Sequence, residues 1–159
     1  MLNIILNPNK ILRNKSKNVD IKNMGSKKIK ELCLDMEKIM LEKDGVGLAA
    51  PQVGKNIRLC VINTKNGVLK MINPIIIKRS WAKEWGEEGC LSIPNVFGKV
   101  KRHKKITCRF YDENKKIIKL SADNLVARVI QHEIDHLNGV LFIDSAKDII
   151  KTEQTENDG

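Results

Sequence analysis

The stretch SADNLVARVIQHEIDHLNG, residues 121–139, has the spacing of an amphipathic helix and carries ionisable side chains on its apolar face. Ser121 is the predicted N-cap of this helix, and Gly139 is its predicted end. Residues three and four positions apart share one face of a helix, so His132 and His136 point the same way as the apolar residues. The pattern therefore predicts a polar site in the interior of the fold.

His132, Glu133 and His136 form an H-E-x-x-H motif, which is typical of a metal site on a helix. The spacing of four residues stacks the two imidazoles about 6 Å apart, a separation suited to one divalent cation. Two of the chain's three histidines stand at this spacing, which favours a metal site over two packed core histidines. A cation bound by neutral imidazole lowers the pKa of its water toward ~7, and Glu133 can take the water proton and pass it to a leaving group. The motif therefore predicts metal-assisted hydrolysis.

Two histidines leave such a site one protein ligand short of the usual three. Cys90, in EEGCLSIP, is the one cysteine of four that fits no predicted helix or strand, and its thiolate would complete a Cys-His-His set. The alternative is an endopeptidase whose third ligand is a carboxylate from the tail, where Asp148, Glu153 and Glu156 stand. The cysteines include no C-x-x-C pair, which argues against a four-cysteine zinc ribbon.

The 159 residues are enough for one domain with a substantial core, and 29 Lys and Arg against 19 Asp and Glu give a net charge of +10. No apolar run reaches the roughly 18 residues of a membrane-spanning helix, and the N-terminus has no signal-peptide core. We therefore expect a soluble, cytoplasmic protein. The positive charge suggests an anionic partner such as nucleic acid or the ribosome, with residues 99–105, KVKRHKK, as the contact patch. A solvated strand edge explains the same run more simply.

The remaining apolar periods predict one more helix, with Ser26 as its N-cap and Gly45 as its end, together with short strands. Residues 145–159 turn polar and are predicted to form a frayed tail. The predicted strands cover residues 57–62, 68–72, 75–77, 106–110, 117–120 and 140–143, with turns at Asn66-Gly67, Asn73-Pro74 and Asp112.

Residues 45–54, GVGLAAPQVG, place three glycines and two alanines directly after this helix. No strand precedes the segment, and no Lys-Ser or Lys-Thr pair follows its last glycine, so the phosphate-loop and dinucleotide-binding interpretations fail. On residue types alone, the segment is interpreted as a tight turn that can approach another backbone or a ligand closely.

Three separated segments resemble the three signature motifs of the peptide deformylase family, in the same order. These segments are GVGLAAPQ at 45–52, EGCLS at 88–92 and QHEIDHLNG at 131–139. The resemblance covers residues 1–144, and it implies one catalytic domain there. It implies a monomeric α+β fold in which antiparallel β-sheets wrap around the metal-binding helix. The implied activity is removal of the formyl group from the N-terminal formyl-methionine of newly made polypeptides, with release of formate.

The resemblance also implies a role for matching residues of the site. The family's native metal is usually Fe²⁺, with Zn²⁺ or Ni²⁺ often found after purification. The implied partners are N-formyl-methionyl nascent peptides and, through a tail that is short here, the ribosome, but no membrane and no specific nucleic acid sequence. The implied location is the cytoplasm, in a bacterial-type enzyme or a mature organellar form. The implied metal ligands are Cys90, His132 and His136, the general acid and base is Glu133, and the oxyanion donors are the Gln52 amide and the Leu91 backbone N–H.

Substrate binding is implied for a further group of residues. The backbone of Val46 and Gly47 is expected to pair with an extended peptide by strand addition. Arg128 is expected to extend from the edge of its helix to water, and Asp44 and Arg102 occupy positions that form an ion pair in some members. The methionine pocket is expected to comprise Leu125, Arg128 and Val129 on the helix, with Glu88, Gly89 and Phe97 at its rim.

Overall fold

The computed structural model describes residues 1–153, and these form two α-helices, eight β-strands and three short 3-10 helices. The helices are α1, Lys27–Glu42, and α2, Asn124–Leu137. The 3-10 helices are Lys10–Arg13, Ala50–Val53 and Phe142–Asp144. The strands are β1, Gly47–Ala49; β2, Leu59–Thr64; β3, Gly67–Arg79; β4, Lys83–Cys90; β5, Ile93–His103; β6, Lys105–Tyr111; β7, Ile117–Asp123; and β8, Lys147–Lys151.

The strands form two antiparallel sheets, one with the order β1-β2-β3-β6-β7 and one with the order β4-β5-β8. Helix α2 packs its apolar residues, including Ile130 and Leu137, against the buried face of the five-stranded sheet. Towards the three-stranded sheet, the Gln131 amide exchanges two hydrogen bonds with the backbone of His103 in β5. The predicted α+β fold, with antiparallel sheets around the helix that carries the H-E-x-x-H motif, is confirmed.

Helix α1 covers a second core cluster, in which its buried Cys33, Met36 and Met40 pack with residues of β1 and β2. The predicted N-cap is confirmed, because the Ser26 hydroxyl accepts a hydrogen bond from the Ile29 N–H at 3.3 Å. The predicted stop at Gly45 lies one position too late. The helix ends at Glu42 with Lys43 as its C-cap, and the next residue, Asp44, with a φ of 53°, adopts the left-handed conformation expected of the glycine.

Both predicted hairpins are present, with Thr64 opposite Gly67 and Tyr111 opposite Ile117. The predicted break at Asn73-Pro74 is instead a bulge inside the continuous strand β3. Asn73 has a φ of 50°, and its side-chain amide donates to the carbonyl of Val19 and accepts from the Val19 N–H. These two bonds support the bulge, so the strand continues through the proline.

The boundaries around α2 also differ from the prediction. Ser121 belongs to β7, and α2 begins at Asn124 with Asp123 at the N-cap position, whereas Gly139, with a φ of 73°, follows the end of the helix as predicted. The strand predicted at 140–143 is wrong, since a 3-10 helix begins at Phe142.

The C-terminal segment carries a strand that the sequence analysis missed. Strand β8, within the tail predicted to fray, pairs with β5, where Ile150 lies opposite Phe97 and Lys151 opposite Val96. The β4–β5 hairpin was also missed, because KEWGEEGC alternates polar residues and glycine and gives no apolar period. The part of the predicted tail at 154–159 lies outside the described residues. No helix within 1–153 has the length and apolar character needed to cross a membrane.

Candidate metal centre and substrate cleft

The three predicted metal ligands come together at the junction of β4 and α2. Cys90 is the last residue of β4, and His132 and His136 lie one turn apart on the buried face of α2. One donor atom from each of the three residues lies within 4.8 Å of the others, and Cys90 Sγ is 3.3 Å from His136 Nε2. Among residues 1–153 this group contains no carboxylate, so the described acids of the tail, Asp148 and Glu153, do not join it.

The donor set fits one divalent cation. A tetrahedral ion with bonds of roughly 2.0 to 2.3 Å holds its ligand atoms roughly 3.3 to 3.8 Å apart, and the observed spacings need only a small contraction to reach that range. One thiolate and two imidazoles are ligands that zinc and other late divalent metals accept. The residues present therefore suit a metal, and their spacing does not select one element.

The ring of His132 is oriented by Glu88. His132 Nδ1 donates to Glu88 Oε1 at 2.7 Å, which directs the other ring nitrogen to the metal centre. Glu88 was predicted at the rim of the methionine pocket, but its side chain is buried behind His132, and the residue reaches the cleft only as part of its wall. In β4, Glu88 and Cys90 are two positions apart, so the predicted ligand Cys90 and the residue that orients His132 come from one strand.

The charge of Glu88 is balanced by two buried arginines. Arg102 donates twice to this carboxylate at 2.9 Å, and Arg128 donates once at 2.8 Å. Burial would raise the pKa of Glu88, but the hydrogen bonds from His132 and Arg102 outweigh it and lower the pKa to about 2.

Two predictions about these arginines are wrong. Arg102 pairs with Glu88 and Asp135, and not with Asp44. Arg128 does not extend to water: it is 9% exposed, and its guanidinium turns inward to Glu88 because the carboxylate offers a stronger partner than solvent at the helix edge.

The pKa values of the two histidines are shifted in opposite directions. Burial lowers the pKa of His132, but hydrogen bonds to Cys90 and Glu88 outweigh it and raise the pKa to about 10. Burial and the adjacent charge of His132 hold the pKa of His136 well below its usual range. The partners that favour a proton on His132 also favour a metal cation beside this ring. His136 is neutral, so one of its ring nitrogens has a lone pair for a metal.

Glu133 lies beside the ligands with a carboxylate that lacks a partner. Its side chain is buried, and Oε2 accepts no hydrogen bond from residues 1–153. Burial raises the pKa of Glu133 to about 7, although the charge of His132 opposes this shift. A carboxylate in such a state can exchange a proton near neutral pH.

Gln52 faces the metal centre from the 3-10 helix that follows β1. Its Oε1 accepts from the Ala49 N–H at 2.8 Å, which turns Nε2 towards Cys90 Sγ at 3.4 Å and Ser92 Oγ at 3.2 Å. The Leu91 N–H, in the turn after β4, has no hydrogen-bond partner within the described chain. Two N–H donors therefore lie next to Cys90, one by side-chain contact and one as the following residue, and can serve an oxyanion.

A cleft of about 780 Å³ opens onto these groups. Strand β1 lies at the edge of the five-stranded sheet and borders the cleft, so its unpaired side is available to an extended peptide. Val46, Phe97 and Leu125 are 50%, 38% and 62% exposed at the mouth of the cleft. Every predicted substrate-contacting residue lines it, namely Val46, Gly47, Glu88, Gly89, Phe97, Leu125, Arg128 and Val129.

Sequence reasoning missed Ser92 as a partner of Gln52 and missed Glu88 as the support of His132. Both lie two positions from Cys90, at 88 and 92. Glu88 lies in β4, which has no apolar alternation to reveal it, and Ser92 lies in the turn between β4 and β5, so neither position carries a pattern that a sequence shows.

Comparison with known proteins agrees with this site. Residues 1–152 match the family model of polypeptide deformylase. A peptide deformylase of Syntrophomonas wolfei is 43% identical over 143 residues, which cover 90% of this chain and 91% of that protein. The crystal structure of the Thermotoga maritima peptide deformylase has a TM-score of 0.88 at 37% identity, covering 92% of this chain and 98% of that one.

A class I type b peptide deformylase from Acinetobacter baumannii, solved with Met-Ala-Ser bound, has a TM-score of 0.86 at 30% identity. This match covers 91% of the present chain and 98% of that chain. The resemblance predicted from the three motifs is confirmed. The chain therefore belongs to the polypeptide deformylase family, a family of metal-dependent enzymes.

Proposed function

We propose that this enzyme removes the formyl group from the N-terminal formyl-methionine of newly made polypeptides and releases formate. The observation that carries the proposal is the unpaired, buried carboxylate of Glu133 beside the Cys-His-His donor set, at the base of a cleft bordered by a free strand edge. The Acinetobacter baumannii relative binds Met-Ala-Ser, a peptide with the N-terminal methionine that this reaction would leave.

Cys90, His132 and His136 would hold one divalent cation, with Fe²⁺ as the native metal and Zn²⁺ or Ni²⁺ as replacements in purified protein. When bound, the cation supplies Lewis-acid chemistry, which acidifies water and polarises a carbonyl. Glu88 holds His132 in the tautomer that such binding needs, with the proton on Nδ1.

Glu133 is the general acid and base in this proposal. Its carboxylate takes a proton from the water that attacks the formyl carbon, and the C–N bond of the formamide then breaks. The same carboxyl passes the proton to the leaving nitrogen, so the products are formate and a free N-terminal amine. A pKa of about 7 suits both transfers, because the group is a competent base and a competent acid at neutral pH.

Gln52 Nε2 and the Leu91 N–H would stabilise the oxyanion that develops on the formyl oxygen. The Gln52 amide is held by the Ala49 N–H, so it meets the developing charge without reorganisation. Its present contact is with Cys90 Sγ at 3.4 Å, and sulfur is a weak acceptor, so this contact can be exchanged for a bond to a negatively charged oxygen.

The substrate peptide would extend along β1 and hydrogen-bond the backbone at Val46 and Gly47. Its methionine side chain would contact the apolar groups of Leu125, Val129 and Phe97, with Gly89 leaving room beside the Phe97 ring. Backbone pairing carries little sequence information, so we expect tolerance of many residues after the methionine.

The domain, assembly and location follow from the same proposal. We place the catalytic domain at residues 1–151, and not 1–144, because β8 completes the sheet that carries Cys90. We expect a monomer in the cytoplasm, where formylated chains arise and where four unpaired cysteines are stable. Contact of the tail with the ribosome belongs to the same proposal, and residues 154–159 of that tail lie outside the described residues.

Formate release from formyl-Met-Ala-Ser is the decisive test. The matched substrate is acetyl-Met-Ala-Ser, and mass spectrometry of both reports any internal cleavage. We expect formate and intact Met-Ala-Ser from anaerobically prepared, iron-loaded protein, and metal loss together with activity loss in Cys90→Ala. Internal cleavage without formate release would establish the endopeptidase alternative.

A further inference from the structure

Arg128 links α2 to both strands of the β4–β5 hairpin through hydrogen bonds. It stands one helical turn before His132, and its guanidinium donates to the carbonyls of Glu84 and Val100 at 3.0 and 2.8 Å and to Glu88 Oε2 at 2.8 Å. Three acceptors on two strands hold the group in one place. The side chain therefore acts as a clamp, although it also forms part of the cleft wall.

Gly86 is the residue that makes room for this clamp. A Cβ at position 86 would lie 2.7 Å from Cζ of Arg128 and 2.8 Å from its Nε and Nη2. The φ of Gly86 is not positive, so the backbone does not demand glycine there. A free arginine would swing away from an added methyl group, but this one can move only by giving up its three acceptors.

The Glu88 carboxylate receives two hydrogen bonds on each oxygen. Oε1 accepts from His132 Nδ1 and Arg102 Nη2, and Oε2 accepts from Arg102 Nε and Arg128 Nη1. Arg102 divides its charge between Glu88 and Asp135, whereas Glu88 is the one carboxylate that Arg128 contacts among residues 1–153. Arg128 is therefore the cation dedicated to Glu88.

We propose that Arg128 is a positioning residue for the metal centre: it fixes the Glu88 carboxylate, and through it the ring of His132, and Gly86 is its obligatory neighbour. The inference rests on the proposed role of His132 as a metal ligand. It further states that positions 86 and 128 act together, so that a substitution at either one disturbs the Glu88 carboxylate in the same way.

The first test compares Arg128→Met with Arg58→Met. Methionine keeps the length and the apolar volume of the stem but donates no hydrogen bond. Arg58 is the matched control, because it donates to the Leu137 carbonyl and the Asn138 side chain at the other end of α2, away from Glu88. Loss of a group that orients a metal ligand typically costs about 10-fold to 100-fold in metal affinity or activity.

We expect Arg128→Met to lower kcat by about that factor with KM nearly unchanged, and to speed the transfer of bound zinc to a chromophoric chelator in parallel. Arg58→Met should lower the melting temperature while leaving kcat and zinc transfer close to wild type. Arg128→Lys keeps one cation on Glu88 and should recover part of the loss. It also supplies a folded variant if the methionine variant does not fold.

The second test is a double-mutant cycle with Gly86→Ala. We expect Gly86→Ala alone to match Arg128→Met, and the double variant to be no worse than either single change. Wild-type zinc transfer and kcat in Arg128→Met, or full additivity in the cycle, would overturn the proposal. Zinc transfer is measured without substrate, so it decides the role of Arg128 even if the wild-type protein releases no formate.

Discussion

The backbone of Gly47 lies directly against the carboxylate of Glu133. A Cβ at position 47 would collide with Glu133 Oε1 and would lie 2.8 Å from Val129 Cγ1. The φ of Gly47 is not positive, so the close approach of β1 to α2, and not turn geometry, requires the glycine. The segment that sequence alone presents as a tight turn is the contact that brings β1, the strand proposed to pair with the substrate, to the proposed base.

Gly47→Ala should therefore impair turnover through Glu133. We expect kcat to fall by about 10²-fold, because a displacement of about 1 Å at a catalytic group has that order of cost. Metal content should stay stoichiometric, since the atoms nearest to a Cβ at position 47 belong to Glu133 and Val129 and to none of the three proposed ligands. Metal analysis beside formate release checks this, and loss of metal in the variant would contradict the stated cause.

Glu133→Gln should keep the metal and lose about 10²-fold to 10⁴-fold in kcat, the range for loss of general acid–base catalysis. The pH profile provides a sharper measurement. The wild-type base is active when ionised, so kcat/KM should fall as the pH is lowered through about 7. This fall in kcat/KM at low pH should be missing from the residual activity of the variant. If the variant shows the same fall, a group other than Glu133 causes it.

Gln52→Ala should lower kcat by about 10² to 10³, the usual cost of losing one oxyanion donor. Ser92→Ala leaves the amide in place and removes only one of its partners, at 3.2 Å, so a smaller loss is expected. KM for formyl-Met-Ala-Ser should change little in both variants. Equal losses would show that Ser92 does more than hold Gln52.

Asp144→Asn should flatten the acid dependence of stability. A hydrogen bond from Arg13 lowers the pKa of Asp144, so its contribution is present above the unfolded-state pKa and is lost as the pH falls through the lower native value. The two side chains are 45% and 38% exposed, and an exposed pair contributes only about 0 to 1 kcal/mol. Urea unfolding at a series of pH values from 7 downward measures it: wild type and variant should differ at pH 7, and the difference should shrink progressively once the pH is below the ordinary value of 3.8.

The central helix and the three donor residues that the fold brings together were predictable because their signals are local. Two histidines four residues apart on an apolar face need no tertiary information, and Cys90 stood out because it fitted no pattern. The strand that delivers Cys90 was not predictable in the same way. Its one buried residue is Glu88, whose charge is neutralised by Arg102 in the neighbouring strand β5 and by Arg128 in α2. A strand whose one buried residue is charged has no apolar alternation to detect.

The direction of the Arg128 side chain could not be predicted from the sequence for the same reason. On a helix edge, a long basic residue is expected to reach solvent, and only the three-dimensional placement of Glu88 and of the strand carbonyls reverses that expectation. The bulge at Asn73 and the strand β8 were missed for a similar reason, because both depend on partners far away in sequence, at Val19 and in β5.

Strand β8 is synthesised after the rest of the sheet, and this order affects the enzyme while it folds. Until residue 151 has left the ribosome, β5 keeps one edge unpaired beside Phe97, and such an edge is a template for pairing between chains. A chain interrupted shortly after α2 would hold all three proposed ligands and still present this open edge. Once β8 has paired, the edge of the sheet is a five-residue strand with a lysine at each end, Lys147 and Lys151, and a short, charged edge resists pairing between chains.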